Sequence, residues 1–421
     1  MGMTFAQKVL AKKSGQNHVA VGQIVTVKPD YLLTHDNTAA IIGKIGTELE
    51  KYGVARNDLN LIVLDHVIPA ASEKNAAGHK KVREFVKKYN IQHFFDLGEG
   101  ICHQVVYEKG FARPGRIIVG SDSHTCSYGA VGTFATGVDR TESAALTLTG
   151  ETWFKVPPTI KVTLKGQLSK GVSAKDIVLK IIGDISADGA NYMAVEFHGD
   201  IQNLTMDDRF TIANMGIEMG AKIAAFPVDD STQAFFSEYN IPFDASEVLW
   251  ADEDADYVRE LEYDLSSLEP VVAAPHTVDN VKPVGALEGT PLDQVLLGTC
   301  TNGRLSDFEA AAAILKGKKV HAGTRMLILP ASRHIMREAM RLGYIDALVA
   351  AGAVMLPPGC GPCLGAHQGA MAPGEKTLST ANRNFKGRMG CKEAEIYLAG
   401  PATVAASALH GQITDPRKEV A

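Results

Sequence analysis

Short apolar runs, many of them β-branched, recur along the chain, and each is followed by polar residues. The runs that predict buried strands cover residues 59–64, 116–119, 159–164, 294–297, 325–329 and 354–356. Helical spacing of apolar residues predicts helices over residues 174–185, 307–315 and 332–341. This alternation of strand and helix is typical of an α/β fold with mainly parallel sheets.

Prolines interrupt this pattern at two places. A pair stands at positions 157 and 158, and the acidic stretch 247–269 is followed by Pro270 and Pro275. Proline breaks helices and central strands, and 421 residues exceed what one hydrophobic core usually serves. We therefore predict three α/β domains, at residues 1–155, 156–275 and 276–421.

The charge balance favours small-molecule ligands. The chain carries 42 basic and 48 acidic residues, a net charge of −6, without a long basic run. A nucleic-acid partner or an anionic membrane surface is therefore not expected. No apolar stretch reaches the roughly 18 to 20 residues of a membrane helix, and residues 1–13 do not resemble a secretory signal. We expect a cytoplasmic protein.

Three of the six cysteines stand in glycine-rich turns that follow predicted strands. Cys300 lies in Gly-Thr-Cys-Thr-Asn-Gly, and Cys360 and Cys363 lie in Cys-Gly-Pro-Cys-Leu-Gly. Four thiolates are needed to close an electron-transfer cluster or a structural zinc site, whereas three leave one metal position open for Lewis-acid chemistry. A chance pair, a redox dithiol and half of a zinc site are the alternatives for Cys-x-x-Cys.

Acidic and histidine side chains also follow predicted strands. Asp65 and His66 come after the run 59–64, and Asp122 and His124 come after the run 116–119. Functional groups of open parallel sheets gather beyond the carboxyl ends of the strands. Carboxylate–imidazole pairs suit proton transfer, because the carboxylate orients the ring and stabilises its protonated form. Taken singly, a histidine is more often a hydrogen-bonded structural residue than a catalytic one.

Further candidates lie in polar loops. His103 and Glu218 are additional acid–base candidates, and Arg383 and Arg388 stand five residues apart across a glycine-containing loop. Guanidinium groups bind carboxylates through two parallel hydrogen bonds, so the arginines favour a dicarboxylate ligand. A solvated basic loop is the alternative.

Five motifs together resemble the aconitase superfamily in order and spacing, nearly from end to end. The motifs are Asp-His at 65–66, Gly-Ser-Asp-Ser-His-Thr at 120–125, Cys-Thr-Asn-Gly at 300–303, Cys-Gly-Pro-Cys-Leu-Gly at 360–365 and Asn-Arg-Asn-Phe-Lys-Gly-Arg at 382–388. Within that superfamily, Gly-Ile-Cys-His-Gln at 100–104 and Cys-Thr-Asn-Gly-Arg at 300–304 look similar to large subunits of the isopropylmalate dehydratase and homoaconitase type. The resemblance implies three aconitase-like α/β domains around a central iron–sulfur cluster.

The resemblance also implies roles for individual residues. It implies that Cys300, Cys360 and Cys363 bind a [4Fe-4S] cluster in which one iron has no cysteine, with Asn214 and Asn382 beside it. It implies three catalytic hydrogen-bonded pairs: Asp65 with His66, His103 with Asp122, and His124 with Glu218. It implies that substrate is bound by Arg383, Arg388, Ser123 and His35.

Chain length differs from that of single-chain relatives. Those continue into a mobile fourth domain that supplies the base for the carbon-bound proton, and the resemblance implies that a separate small subunit supplies it here. The expected function is a hydro-lyase acting on a di- or tricarboxylate, with isopropylmalate in leucine biosynthesis preferred over homoaconitate, methylmalate or dimethylmalate. An iron–sulfur electron-transfer protein, with Cys391 as a fourth ligand, and an RNA-binding protein are the alternatives from other classes.

Overall fold

The computed structural model describes residues 2–365 and 367–420. Its first part, up to residue 155, alternates strands with helices. The elements are α1 (Phe5–Ser14), β1 (Ile24–Val27), β2 (Tyr31–Thr34), α2 (Thr38–Lys44), α3 (Gly46–Tyr52), β3 (Asn60–Val63), α4 (Glu73–Lys88), β4 (His93–Phe95), α5 (Cys102–Glu108), β5 (Ile117–Gly120), β6 (Phe134–Gly137), α6 (Arg140–Thr149) and β7 (Thr152–Lys155). In the described residues five of these strands form a parallel sheet in the order β4-β3-β2-β5-β6, and β1 pairs antiparallel with β7.

The middle part of the chain contributes a second sheet. Its elements are β8 (Thr159–Lys165), α7 (Ala174–Ile185), β9 (Ala194–Gly199), α8 (Met206–Asn214), β10 (Ile223–Ala225), α9 (Asp230–Glu238) and β11 (Arg259–Asp264). Among the residues described, the sheet order is β10-β9-β8-β11, and every pair is parallel. Helix α7 begins at a capping box between Ser173 and Asp176 and buries its apolar side against the core.

The last part builds the largest sheet of the described chain. Its elements are β12 (Val271–Ala273), β13 (Val281–Pro283), β14 (Gln294–Gly298), α10 (Thr299–Asn302), α11 (Leu305–Leu315), β15 (Arg325–Leu329), α12 (Arg333–Arg341), α13 (Tyr344–Ala351), β16 (Val354–Met355), β17 (Lys376–Ser379), β18 (Glu395–Leu398) and α14 (Pro401–His410). The order is β13-β12-β18-β17-β14-β15-β16, parallel from β18 to β16 and antiparallel at β12.

Short 3₁₀ helices connect these elements. They span Ser123–Val131, Ile201–Asn203, Met215–Met219, Ala245–Glu247, Leu265–Ser267, Val284–Ala286, Gly361–Leu364 and Pro416–Lys418. Three of these 3₁₀ helices contain candidate residues, namely Ser123, Glu218 and Cys363. Their tight turns bring side chains from neighbouring positions to the same side of the backbone.

Two of the sheets reverse their strand order at a definable point. In the first sheet, the chain adds strands to one side of β2 and then continues with β5 on the other side. In the third sheet, the same reversal separates β14 from β17. Crevices at the carboxyl ends of strands flanking such a reversal are the usual ligand sites of open α/β sheets. The fold therefore provides two such crevices.

The predicted fold class, α/β with mainly parallel sheets, is confirmed. The predicted strand 325–329 and helix 174–185 match β15 and α7 residue for residue, and the other predicted elements shift by one or two residues. Strand β11 within the acidic stretch was missed, because an edge strand with charged, exposed side chains lacks the apolar signal; its Glu260 and Glu262 pair with lysines of β8. The domain bounds stay a prediction. In the described part of the chain, no helix is both long and apolar enough to cross a bilayer.

Candidate active site

A cavity of about 270 Å³ lies where the carboxyl ends of the first and third sheets meet. Most of the residues predicted from sequence line it: His35, His66, His103, Asp122, Ser123, His124, Cys300, Cys360, Cys363, Asn382, Arg383 and Arg388. The remaining three, Asp65, Asn214 and Glu218, lie behind the wall and contact lining residues. The structure thus brings together side chains that are more than 300 positions apart in sequence.

The cysteine thiols lie on two loops of the third sheet. Cys300 follows β14 in α10, after Gly298, whose φ of 139° suits glycine and where a side chain would collide with the carbonyl of Leu329. Cys360 directly precedes the 3₁₀ helix Gly361–Leu364 and Cys363 lies within it, and the Cys360 amide donates to the carbonyl oxygen of Asp65 at 2.8 Å. That hydrogen bond ties the cysteine loop of the third sheet to the acid–base residues of the first.

Amide and guanidinium groups surround the sulfur atoms. Asn214 and Asn382 direct their Nδ2 atoms at Cys300 Sγ, at 3.4 and 3.5 Å, and Arg388 Nη2 lies 3.5 Å from Cys363 Sγ. A hydrogen bond from Cys360 and the charge of Arg388 hold the pKa of Cys363 well below its usual range, against the effect of burial. This environment stabilises the Cys363 thiolate, and a thiolate is the form that binds metal, whereas burial raises the pKa of Cys300.

The number of thiols at the cavity bears on the kind of group they could hold. A structural zinc site or a four-cysteine cluster uses four protein ligands, whereas three thiols leave one metal position open. The cysteines that line the cavity, in the described chain, are these three and neither Cys102, Cys126 nor Cys391. The residues present therefore fit an iron–sulfur cluster with three protein sulfurs.

Asp122 joins the three histidines of the opposite wall. Its carboxylate lies 2.8 Å from His103 Nε2, 3.3 Å from His66 Nε2 and 3.5 Å from His124 Nδ1. It also accepts the backbone N–H of His124 at 2.8 Å, which caps the 3₁₀ helix Ser123–Val131. Asp65 Oδ1 lies 2.6 Å from His66 Nδ1, so both nitrogens of that ring contact a carboxylate. One shared carboxylate thus fixes the relative positions of three imidazoles.

Charges within this group shift its titration. Burial lowers the pKa of His66, but Asp65 and Asp122 outweigh it and hold that pKa well above the ordinary value. Burial raises the pKa of Asp122, but His103, His124 and His66 outweigh it and hold that pKa well below the ordinary value. These shifts favour a protonated His66 and an ionised Asp122.

Glu218 connects the histidines with the arginines. Its Oε1 lies 2.9 Å from His124 Nε2 and accepts a hydrogen bond from Arg383 Nε at 2.7 Å. Arg383 Nη2 donates to Ser123 Oγ at 3.0 Å. Burial opposes ionisation of Glu218, yet His124 and Arg383 lower its pKa. Glu218 therefore contacts His124 and also forms a salt bridge with Arg383, a candidate substrate-binding residue.

Two polar atoms in the cavity wall have no hydrogen-bond partner in the described structure. They are Arg388 Nε and His35 Nδ1, both buried. His35 stacks on His66 with ring centroids 3.7 Å apart, and burial together with the charge of His66 lowers the pKa of His35 to about 4. A neutral imidazole and an unsatisfied guanidinium N–H both need a ligand that forms hydrogen bonds.

Sequence reasoning missed Asp36. Its carboxylate accepts the backbone N–H groups of Asp65, His66 and Val67 at 2.8 to 3.0 Å and contacts His79 Nε2 at 2.8 Å. Asp36 thereby holds the turn that presents the Asp65–His66 pair. Its place directly after β2, at the strand reversal, is the signal that could have identified it.

The sequence predicted no role for Arg304 beyond its place in a motif. The residue is only 2% exposed and contacts all three parts of the chain. Its guanidinium donates to the carbonyl oxygens of Cys300 and Thr301 at 2.8 Å, and to the Gln104 side chain at 3.2 Å. It also lies over the Phe210 ring, 5.0 Å from the centroid. Arg304 therefore anchors the Cys300 turn, a role that sequence spacing does not reveal.

Comparison with known proteins gives a consistent family. The model of the Aconitase family (aconitate hydratase) matches residues 7–288 and 282–411. The solved structure of aconitase X of Thermococcus kodakaraensis, in its holo-form, matches with a TM-score of 0.51, 13% identity and 92% coverage of each chain. At that identity the structural match supports the fold alone.

Relatives by sequence span nearly the whole chain. The 3-isopropylmalate dehydratase large subunit 1 of Methanopyrus kandleri is 48% identical over 421 residues, with 99% of each chain covered. The probable methanogen homoaconitase large subunit of Methanosarcina mazei is 51% identical over 391 residues, covering 92% of this chain and 98% of that relative. Large subunit 2 of 3-isopropylmalate dehydratase from Archaeoglobus fulgidus is 48% identical over 423 residues, with coverages of 99% and 100%.

Proposed function

The chain belongs to the aconitase family, and we propose that it is the cluster-binding large subunit of a 3-isopropylmalate dehydratase. In this function the enzyme interconverts 2- and 3-isopropylmalate, by removing and re-adding water, in leucine biosynthesis. The observation that carries the proposal is the convergence on one cavity of three thiols, three histidine–carboxylate contacts and two arginines. Near-complete coverage of relatives named as large subunits of this enzyme supports the choice of substrate.

Cys300, Cys360 and Cys363 would hold a [4Fe-4S] cluster. When bound, the cluster supplies an iron without a protein sulfur, which acts as a Lewis acid toward a substrate hydroxyl and carboxylate. Asn214 and Asn382 support the Cys300 thiolate through their side-chain N–H groups. The family membership and the donor set support this assignment.

The histidine–carboxylate pairs handle the proton of the leaving hydroxyl. His66 carries its proton at neutral pH, because Asp65 and Asp122 stabilise the imidazolium. We assign to its Nε2 the donation of a proton to the departing hydroxyl, and to Asp122 the positioning of the ring. His103 and His124, each held by a carboxylate, complete the acid–base wall.

The arginines orient the substrate. Arg388 Nε, buried without a partner in the described structure, is the free donor for one carboxylate, and Arg383 with Ser123 forms a second donor group. His35 provides a further hydrogen bond through its unpaired Nδ1. Fixing both carboxylates sets the geometry of the carbon that loses the hydroxyl.

A small subunit completes the enzyme in this proposal. The relatives are named large subunits, which implies a smaller partner. We assign to that partner the base that removes the carbon-bound proton and contacts with the substrate side group. The active unit is then a heteromer in the cytoplasm.

Homoaconitate is the second candidate substrate. The Methanosarcina mazei relative, at 51% identity, bears the homoaconitase name. The two functions differ in the side group of the substrate and share the chemistry at the hydroxyl. Turnover of both substrates by the same reconstituted heteromer distinguishes them: a higher kcat/KM for homoaconitate would replace isopropylmalate.

The first test measures iron and acid-labile sulfide per chain after anaerobic purification. About four of each are expected, with loss of both when the three cysteines are replaced by serine. The loaded chain is then mixed with the small subunit and assayed for hydration of the unsaturated isopropylmalate intermediate. Zinc, or no metal, in both proteins would refute the proposal.

A further inference from the structure

Lys175 is a fully buried lysine behind the cysteine wall. Its relative exposure is 0%, and it lies in the first turn of α7. Burying an ammonium group costs several kcal/mol unless a negative group compensates it. A helix N-terminus is also an unfavourable place for a positive charge. The position therefore requires an explanation.

The contacts of Lys175 lead to the residues around Cys300. Its Nζ donates to the carbonyl oxygens of Thr380 at 2.9 Å and Ala381 at 2.6 Å, directly before Asn382. Met215 Sδ lies 3.6 Å from Nζ. Asn382 and Asn214, the neighbours of Ala381 and Met215 in sequence, are the two residues whose amides point at Cys300 Sγ.

No carboxylate forms a salt bridge with Lys175 in the described chain. The negative groups that act on it are the thiols of Cys363 and Cys300, followed by Glu218 and Asp307. Glu218 is already paired with His124 and Arg383.

Asp307 is engaged as well, because it accepts hydrogen bonds from the Arg304 amide and the Asn302 side chain. Burial lowers the pKa of Lys175 to about 7, against the opposing effect of the two thiols. The charge that remains to compensate the ammonium is that of Cys300 and Cys363, which are deprotonated when they bind metal.

We propose that Lys175 is a positioning residue whose buried ammonium offsets the negative charge of the thiolate-bound cluster and braces the Thr380–Ala381 carbonyls behind it. This inference rests on the cluster assigned in the proposed function. A positive charge nearby stabilises the more negative, reduced cluster, so Lys175 raises its reduction potential. The bracing keeps Asn382 aimed at Cys300.

The experiment measures the midpoint potential of the cluster by EPR-monitored redox titration of the anaerobically reconstituted chain. Lys175→Met removes the charge and the N–H donors at similar length, while Lys175→Gln removes the charge and keeps a donor. We expect both to disfavour reduction about tenfold, which corresponds to about 59 mV for one electron. The rate of iron loss in air should rise in both.

Lys180→Met is the matched control. Lys180 lies on the same helix, is exposed and pairs with Asp184, so its loss should leave the potential unchanged. A wild-type potential in Lys175→Gln would mean that only the hydrogen bonds matter and would overturn the charge proposal. An equal shift in Lys180→Met would overturn it too.

One further variant, Met215→Glu, tests the charge even if the neutral Lys175 variants do not fold. Met215→Glu introduces a carboxylate beside the Lys175 ammonium, which neutralises the charge without removing the lysine. The potential should fall, and an unchanged potential would refute the proposal. If the wild-type chain itself binds no iron, the proposed function fails; if it binds a cluster and all variants keep its potential, this inference alone fails.

Discussion

The two walls of the cavity are built by the same topological feature and differ in what they need to be complete. The acid–base wall follows β2, β3 and β5 of the first sheet, and the cysteine wall follows β14, β16 and β17 of the third sheet. In both sheets the side chains stand at the carboxyl ends of strands around a reversal of strand order. Topology explains why they face one cavity.

The carboxylates and histidines of the acid–base wall pair with one another. Asp122 contacts three imidazoles, and Asp65 lies 2.6 Å from His66. These pairs form without a ligand, although the neutral ring of His35 keeps one nitrogen without a partner in the described structure. The wall is preorganised for proton transfer.

The cysteine wall carries an excess of donors and cations. Arg388 Nε has no partner in the described structure, and Lys175 is buried without a carboxylate. Such a surface is incomplete until an anionic group joins the thiols. The comparison indicates that folding alone pairs the groups of the acid–base wall, whereas the cysteine wall needs the cluster assigned to it in the proposed function. The following predictions separate the two walls.

Cys300→Ser should have the largest effect. Loss of one thiolate removes a third of the protein ligation, so we expect iron to fall from about four per chain to near zero and hydratase activity to fall to background. In the described part of the chain, Asn214 and Asn382 donate to Cys300 Sγ and the acid–base wall does not, so far-UV circular dichroism should match that of the wild-type apo chain. Iron analysis and activity of the heteromer measure this.

Cys391→Ser is the matched control for that prediction. Cys391 is partly buried and packs against the core outside the cavity, so its replacement should leave iron, sulfide and activity unchanged. Loss of iron in this variant would favour a four-cysteine electron-transfer cluster over the three-cysteine site.

Asp122→Asn should damage the other wall alone. The amide keeps the shape but removes the negative charge shared by His66, His103 and His124, so kcat should fall by about 10²- to 10⁴-fold. Iron content should stay at about four per chain. Steady-state kinetics and iron analysis of the same preparation measure both quantities.

Asp256→Asn is the control for the Asp122 variant, because Asp256 is an exposed carboxylate far from Asp122 in sequence. It should leave kcat and iron unchanged. If Asp122→Asn lost its iron together with its activity, the two walls would not be independent, and the division drawn above would be wrong.

Sequence reasoning succeeded where a residue's type and its place after a strand suffice. Cys300, Asp65 and Asp122 each follow an apolar run closely, and the resemblance of the motifs paired the histidines with the carboxylates that the structure places beside them. The roles of these residues remain predictions. The parallel α/β fold was predictable for the same reason, because buried central strands are read as continuous apolar runs.

The supporting residues could not be found in this way. Lys175 looks like an ordinary helix lysine in Ala-Lys-Asp-Ile, and Arg304 like an ordinary surface arginine. Their burial results from packing between segments more than 90 positions apart, as in the Lys175 contact with Thr380. Spacing within one segment contains no information about such contacts, so tertiary structure was required.

Asp36→Asn should have an intermediate effect on the acid–base wall. One carboxylate oxygen becomes an NH2 group that cannot accept a hydrogen bond, so some of the N–H groups of residues 65–67 lose their acceptor and the His66 turn loses part of its support. We expect kcat to fall by about 10- to 100-fold through misplacement of His66 and stability to fall by about 1–3 kcal/mol. Kinetics and urea unfolding measure these changes.

Asp58→Asn is the control for the Asp36 variant, because the Asp58 side chain is about half exposed and forms its salt bridge with Arg56. Its kcat should equal that of the wild type. A normal kcat in Asp36→Asn would show that the turn keeps its shape through Asp65 and the Cys360 amide instead.

The smallest expected effect is the pH dependence of stability. The pKa of His66 is raised above 6.5 on folding, so its contribution is fully present below pH 6.5 and is lost as the pH rises through the folded pKa. The pKa of Asp122 is lowered below 3.8, so its contribution is present above pH 3.8 and is lost as the pH falls through the folded pKa. Both contributions coexist between these values.

Urea unfolding of the apo chain should show stability declining above pH 6.5 by at most about 1.4 kcal/mol per pH unit for one such group. In Asp122→Asn the decline should be shallower, because His66 then retains only Asp65 as a counter-charge. Equal slopes in the two proteins would mean that Asp122 does not hold the His66 proton, and that the acid–base wall depends on its surroundings as the cysteine wall does.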